Sequence, residues 1–275
     1  MKHAITIDVE DWYQSTFDPN AELSDRFEAS TMKVLDVLSR YNVHGTFFVL
    51  GLAAEKSPKV VKAIADAGHE VQSHGYGHLE VFKQSEEEFR QDLERAKSML
   101  EDMIGREIFG YRAPSFSIDD TRTPWALDVL AETGYRYDSS VFPLKKSRYG
   151  MDGYPPQPQI VQTAKGNRIV EAPVACFDWL GKRRAVGGGG YFRLWPYWVI
   201  RKAWRQCEAR GRPGIVYMHP YEYDPSEITA FKDKVSLKMR LHQGIGRKGF
   251  PSKICRLLHD FEFGCLKDVL ADYLE

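Results

Sequence analysis

The sequence predicts an α/β fold in which short parallel strands alternate with helices. Three observations carry that reading. Over the first 220 residues, β-rich runs and helical patterns follow one another with no internal repeat or low-complexity linker between them. The helical patterns begin and end at recognisable caps. The length of 275 residues suits one barrel-sized domain or about two ordinary ones, and 43% hydrophobic with 28% charged residues is a globular balance that excludes disorder, collagen and coiled coil as overall descriptions.

His3 to Val9 reads as a strand, and Ser24 to Tyr41 contains a helix whose Val34, Leu35 and Leu38 share one face. A second strand follows at Gly45 to Leu50. Ser57-Pro58 supplies an N-cap with proline at the first helical position, Val60, Val61 and Ile64 form the buried stripe, and Gly68 suits the C-terminal cap. Glu70 to Ser73 is the next strand. Ser85-Glu86-Glu87-Glu88 fits a capping box, after which Phe89, Leu93, Ala96, Leu100 and Met103 recur at helical spacing until Gly105. Phe109 to Arg112 is a strand, Pro124 to Glu132 a helix and Tyr135 to Val141 a strand. Between Pro143 and Gly190 the pattern loosens into loops, with one strand at Ile169 to Ala175 and a glycine run at Gly187 to Gly190. Trp198 to Arg210 is a helix closed by Gly211, and the apolar strand Gly214 to Met218 ends at His219. An open doubly wound sheet and a closed barrel both fit this pattern, and both place chemistry at the carboxyl ends of the strands.

Lys plus Arg and Asp plus Glu each number 38, so no overall charge draws the chain to nucleic acid or membrane. Cys176, Cys207, Cys255 and Cys265 show neither zinc-knuckle pairing nor the density of a disulfide scaffold, and are read as reduced thiols. Asp8, Glu10 and Asp11 interrupt what a signal peptide would need as an apolar stretch, and the best apolar run, Phe47 to Ala54, is too short to span a bilayer. The expectation is a soluble, cytoplasmic protein.

Reactive side chains stand just beyond four expected strands: Asp8, Glu10 and Asp11; His74 and His78; Arg112; and His219. Together they supply an acid, a base, metal ligands and a cation at one face of one scaffold, which is what a hydrolytic site requires. The spacing of His74 and His78 would bring both imidazoles to one side of a helical turn, where they could chelate a divalent metal. Gly75 stands where a zinc protease has its glutamate, so the base must come from elsewhere. The carboxylates of the first strand offer both a base and a third ligand.

These residues resemble the polysaccharide deacetylase family, carbohydrate esterase family 4, or NodB homology domain. The ordered motifs are Thr6-Ile7-Asp8-Val9-Glu10-Asp11-Trp12, His74 to His78, Arg112-Ala113-Pro114 and Val216-Tyr217-Met218-His219. The finer form, with Tyr137-Asp138-Ser139-Ser140, Gly188 to Arg193 and His219-Pro220-Tyr221-Glu222, is similar to the branch associated with exopolysaccharide and lipopolysaccharide gene clusters, which often has an extra carboxy-terminal region. The resemblance implies a distorted (β/α) barrel of about seven parallel strands over residues 1–230, with a basic extension, 231–275, packed on it. It also implies hydrolysis of the N-acetyl group of an amino sugar in a glycan or glycan precursor. Asp8 would be the general base held ionised by Arg112, His219 the general acid, and a backbone N–H near Ser115 part of the oxyanion site. The metal would be zinc, or cobalt, nickel or iron. Its ligands would be His74, His78 and Asp11, with Glu10 the rival to Asp11 because spacing by two keeps Glu10 on the side of the strand that carries Asp8.

Trp12, Phe116 and Tyr191 are expected to offer faces to sugar rings, and the glycine run to let backbone approach substrate. Between Phe231 and Arg256, eight Lys and Arg stand against Asp233, a local charge of +7 that would suit an anionic glycan carrier at the cytoplasmic membrane surface. No nucleic-acid motif accompanies it. Two other readings remain at this stage: a metal-independent cyclic amide hydrolase, and a catalytically silent glycan-binding barrel.

Overall fold

The apolar runs pair side by side in one curled sheet. The computed structural model describes residues 1–146 and 149–275. Its strands are β1 (His3–Val9), β2 (Thr46–Val49), β3 (Glu70–Ser73), β4 (Gly110–Tyr111), β5 (Tyr137–Asp138), β6 (Gln159–Gln162), β7 (Arg168–Glu171), β8 (Cys176–Trp179), β9 (Lys182–Ala185), β10 (Ile215–Met218) and β11 (Phe263–Gly264). The order across the sheet is β10-β1-β2-β3-β4-β5-β7-β6. Among the described residues, seven strands from β10 to β7 run parallel and β6 ends that edge antiparallel, so the expected distorted barrel is present as a curled half-barrel. Every residue of β1, β2, β3 and β10 is buried, as befits a parallel sheet covered on both faces.

The covering helices form where caps and periodicity call for them. Ser85 and Glu88 close a capping box at the start of Glu86–Ile104, Gly105 ends it in the left-handed region at φ 65°, and Phe89, Leu93, Ala96 and Leu100 face inward. Pro58–Asp66 starts with its proline and buries Val60, Val61 and Ile64. The expected strands at β4 and β5 are shortened to two residues each. Their flanking Arg112, Ser139 and Ser140 are engaged in side-chain bonds described below.

Two features escaped the sequence pattern. Residues 176–185 form an antiparallel hairpin, β8 with β9, that lies outside the main sheet. The gap between β7 and β10 is bridged by backbone contacts, Ala175 N to Ile215 O at 2.9 Å and Tyr217 N to Gly187 O at 2.7 Å. Here the glycine run has an internal use: a Cβ on Gly188 would lie 2.0 Å from the Tyr217 carbonyl oxygen. Gly187 and Gly188 let two backbones touch.

The carboxy-terminal segment is woven into the sheet. β11 pairs parallel with the start of β1, His3 opposite Phe263 and Ala4 opposite Gly264. Just beyond it, Leu266 N donates to Thr46 Oγ1 at 2.7 Å, Lys267 N donates to Glu70 Oε2 at 3.2 Å, and Leu266 packs fully buried with Ala4, Phe48 and Tyr137. Leu266→Ala is therefore expected to lower the unfolding free energy by about 2–5 kcal/mol, measured by urea denaturation, whereas a dispensable tail would show almost no change.

Candidate active site

The strand ends place the reactive groups on one wall of a cavity of about 240 Å³, lined among others by Asp8, Glu10, His74, His78, Ser115, Phe116, Tyr217 and His219. Asp8 and Glu10, two apart at the end of β1, point the same way because side chains alternate along extended backbone. His74 follows β3, Arg112 follows β4 and His219 follows β10.

Arg112 is completely buried and spends its guanidinium on fixed partners. Its Nη1 donates to Asp8 Oδ1 at 2.8 Å and to Thr6 Oγ1 at 2.7 Å, its Nη2 donates to Ser139 Oγ at 2.8 Å and its Nε to Ser139 O at 3.1 Å. The Phe48 ring lies under it, 4.4 Å from the guanidinium carbon. Asp8 Oδ1 is thereby held, while Oδ2 faces His219 Nε2 at 4.0 Å.

Glu10 meets both histidines of the second motif. Its Oε2 lies 2.8 Å from His78 Nε2 and 3.5 Å from His74 Nε2. Burial pushes its carboxyl up, but His78, His74 and His219 outweigh that effect and hold it well below the usual carboxylate range. His74 Nδ1 lies 2.7 Å from the Arg112 carbonyl, which can only accept, so Nδ1 donates there and Nε2 is the ring atom that faces Glu10. The ligand atoms of Glu10, His74 and His78 all lie within 4.8 Å of one another, and two imidazoles with one carboxylate fit a divalent transition metal.

Asp11, the expected ligand, is turned away from this cluster. It is the N-cap of the helix Trp12–Thr16: Oδ1 accepts from Tyr13 N and Gln14 N at 3.0 and 3.1 Å, and Oδ2 accepts from Ser24 N and Ser24 Oγ at 3.0 and 2.5 Å. Its acceptor capacity is spent on backbone that leaves the strand, and Glu10 occupies the place assigned to it. The histidine pair also does not sit on a helix. Residues 74–78 form a loop, with Gly75 at φ 74° and His78 at φ 59°. Of the aromatic expectations, Phe116 lines the cavity, but Trp12 is a fully buried core side chain under Arg247, and Tyr191 lines a neighbouring groove with Lys146 and Arg184. Ser115 and Phe116 both have positive φ, 56° and 51°, a strained backbone at the cavity wall.

The side of the cavity that carries His219 draws in neighbours to which the motifs assigned no role. His219 Nδ1 stands 3.5 Å from Glu222 Oε2, whose other oxygen is 3.4 Å from Arg193 Nε. The ring stacks on Tyr221 at 4.6 Å, and buried Arg247 lies over the far partner, 5.0 Å from the Tyr221 centroid. Burial pulls the His219 imidazole down, but Glu222, Glu10 and Asp8 outweigh it and raise it above its ordinary value. The signal available in sequence was the three-residue spacing from His219 to Glu222, which forms a capping box at Pro220–Tyr223. Arg193 closes the motif Gly188 to Arg193, but nothing local ties it to Glu222, and Arg247 gave no local signal.

Behind Arg112, Asp138 on β5 and Glu171 on β7 are register partners and both fully buried. Ser140 Oγ accepts from Ala113 N at 2.7 Å and donates to Asp138 Oδ1, which ties this pair to the Arg112 loop. Burial pushes Asp138 up to about 6, and burial together with the Asp138 charge pushes Glu171 well above its ordinary value. Raised carboxyls hold protons that the unfolded chain releases. Their contribution is full below the ordinary carboxylate range and is lost as pH rises through about 6. The wild type should therefore lose more stability than Asp138→Asn between about pH 5 and about pH 8, compared by denaturant titration at each pH.

Comparison with known proteins follows this geometry. Residues 10–137 match the family model for polysaccharide deacetylase, and residues 139–271 match a domain of unknown function, DUF3473. A peptidoglycan-N-acetylglucosamine deacetylase of Bacillus cereus is 35% identical over 113 residues, 41% of this chain and 39% of that protein, so the match spans well under half of that relative's length. Among solved structures, a Mycobacterium smegmatis chain assigned as a polysaccharide deacetylase superposes with TM-score 0.61 at 23% identity, over 98% of this chain and 88% of that one. An allantoinase superposes with TM-score 0.65 at 14% identity, over 98% and 89%. The two superpositions share a fold, and they do not choose between substrates. The chain is thus similar over residues 10–137 to the polysaccharide deacetylase family, and that matched segment runs directly into the one matched to a domain of unknown function.

Proposed function

We propose that the protein hydrolyses the N-acetyl group of an amino sugar within a glycan or glycan precursor, releasing acetate and the free amine. The observation that carries this reading is the convergence of Asp8, Glu10, His74, His78 and His219 on one cavity, with Arg112 buried behind Asp8. Glu10, His74 and His78 would hold a divalent ion, zinc or otherwise cobalt, nickel or iron, which when bound supplies Lewis-acid polarisation of the amide carbonyl.

Asp8 is the general base. Its Oδ1 is fixed by Arg112, and its Oδ2 is directed towards the cavity side where His219 stands, free to take a proton from the attacking water. As the water oxygen bonds to the acetyl carbon, a backbone N–H at the strained Ser115 turn receives the developing oxyanion. His219 then gives its Nε2 proton to the sugar nitrogen as the C–N bond breaks. Glu222 and Arg193 orient its ring, and Tyr221 stacks on it. In this reading residues 1–230 are the catalytic barrel and 231–275 an extension whose Arg247 braces the acid side, in a cytoplasmic protein of exopolysaccharide or lipopolysaccharide biosynthesis.

The test measures acetate release from N-acetylated oligosaccharides with zinc or cobalt supplied. Asp8→Asn and His219→Ala should each lose at least about a hundredfold in kcat with the fold intact. Unchanged turnover in either would overturn the assignment. A second experiment separates the carboxylates by metal analysis of purified variants. Glu10→Ala should lose bound metal, whereas Asp11→Ala should retain it and instead lose about 1–2 kcal/mol of stability through its missing cap. The reverse pattern would restore Asp11 as ligand.

A further inference from the structure

Among the described residues, the helix Leu237–Gly244 buries none of its side chains. Leu237, Leu241 and, just past its end, Ile245 nevertheless recur at the spacing that aligns one helical flank, and they are 62%, 61% and 52% exposed. Single exposed apolar side chains are ordinary, but a row of them marks a surface that something covers. Arg193 ties this helix to the barrel, its Nη1 donating to Gln243 O at 2.8 Å.

The charge around this row is one-sided. Lys232, Lys234, Lys238 and Lys248 are exposed, against exposed Asp233. Two of the basic residues that give the segment its +7 charge do other work: Arg247 is buried against Tyr221 and Glu227, and Lys253 caps the carbonyls of Arg193 and Trp195. Lys238 stands on the helix itself, Lys248 follows it and Lys234 precedes it over the Tyr13 ring, and Gln243 of the same helix lines the cavity that holds Asp8 and Glu10.

We propose that this face docks the protein on an anionic lipid bilayer, with Leu237, Leu241 and Ile245 entering the headgroup boundary and the lysines lying among lipid phosphates. Charge complementarity selects the occupant. A second copy would set lysine against lysine, and a nucleic acid would leave the apolar row in water. Among the described residues no helix is long and apolar enough to cross a membrane, so the contact is peripheral. Docking turns one rim of the cavity towards the bilayer, and it does not depend on the reaction carried out there.

Vesicle flotation of the full chain tests this, using phosphatidylcholine alone and phosphatidylcholine with about 30% phosphatidylglycerol. The wild type should partition at least about tenfold more strongly to the anionic vesicles, and lose that binding when salt rises from about 0.05 M to about 0.5 M. Leu237→Ser/Leu241→Ser should lose at least about tenfold in partition, with unchanged circular dichroism. Lys238→Gln/Lys248→Gln, which touches no apolar packing, should fall in the same direction and decides the matter if the leucine variant misfolds. Absence of flotation, equal flotation on neutral vesicles, or full binding by a folded leucine variant would overturn the proposal. A dimer that the leucine variant dissolves, without vesicle binding, would assign the face to a second copy instead.

Discussion

The site depends on a single buried cation. Arg112 has no exposure, and an unpaired guanidinium in that position would cost several kcal/mol, so its partners must be supplied by the surrounding strands. They come from Thr6 and Asp8 on β1 and from Ser139 beyond β5, while Thr6 and Ser139 pass hydrogen bonds on to Val216 of β10 and Ala172 beyond β7. One side chain thus joins both margins of the curled sheet, and the same contacts that satisfy its charge orient the carboxylate proposed as base. Stability and site geometry are here the same set of bonds.

The histidine opposite that carboxylate is held in a comparable way, but from farther along the chain. Glu222 stands at its Nδ1, Arg193 balances Glu222, and Arg247 lies over the ring that stacks on it. All three come from the segment matched to the domain of unknown function, as do β10, β11 and His219 itself. The cavity is therefore built by both matched segments. A reading confined to the deacetylase model, which ends at residue 137, would omit His219.

Much of this was legible in residue order. Periodicity and caps placed the helices at 58–66 and 86–104, because an amphipathic stripe and a cap are local properties. Asp8, His74, His78, Arg112 and His219 were visible as polar residues at the ends of apolar runs, which a parallel sheet gathers at one edge. The competition between Glu10 and Asp11 was visible but undecided. Both lie at a strand end, and what separates them is the backbone turn that makes Asp11 a cap. Trp12 turns into the core for a related reason: an aromatic beside a motif can face inward or outward, and local sequence does not carry that choice.

The sequence by itself determined the alternation of strand and helix, the four motif positions and the excess of basic residues near the end, since each follows from neighbours within a few residues. Tertiary structure decided which carboxylate meets the imidazoles, that the glycine run lets backbones touch, and that Phe263–Gly264 lies beside β1. It also decided which of the basic residues are buried struts and which remain exposed. The physical reason is distance along the chain. Arg112 and Thr6 are 106 residues apart and Leu266 and Thr46 are 220 apart, so their pairing depends on how the sheet closes and not on either local pattern.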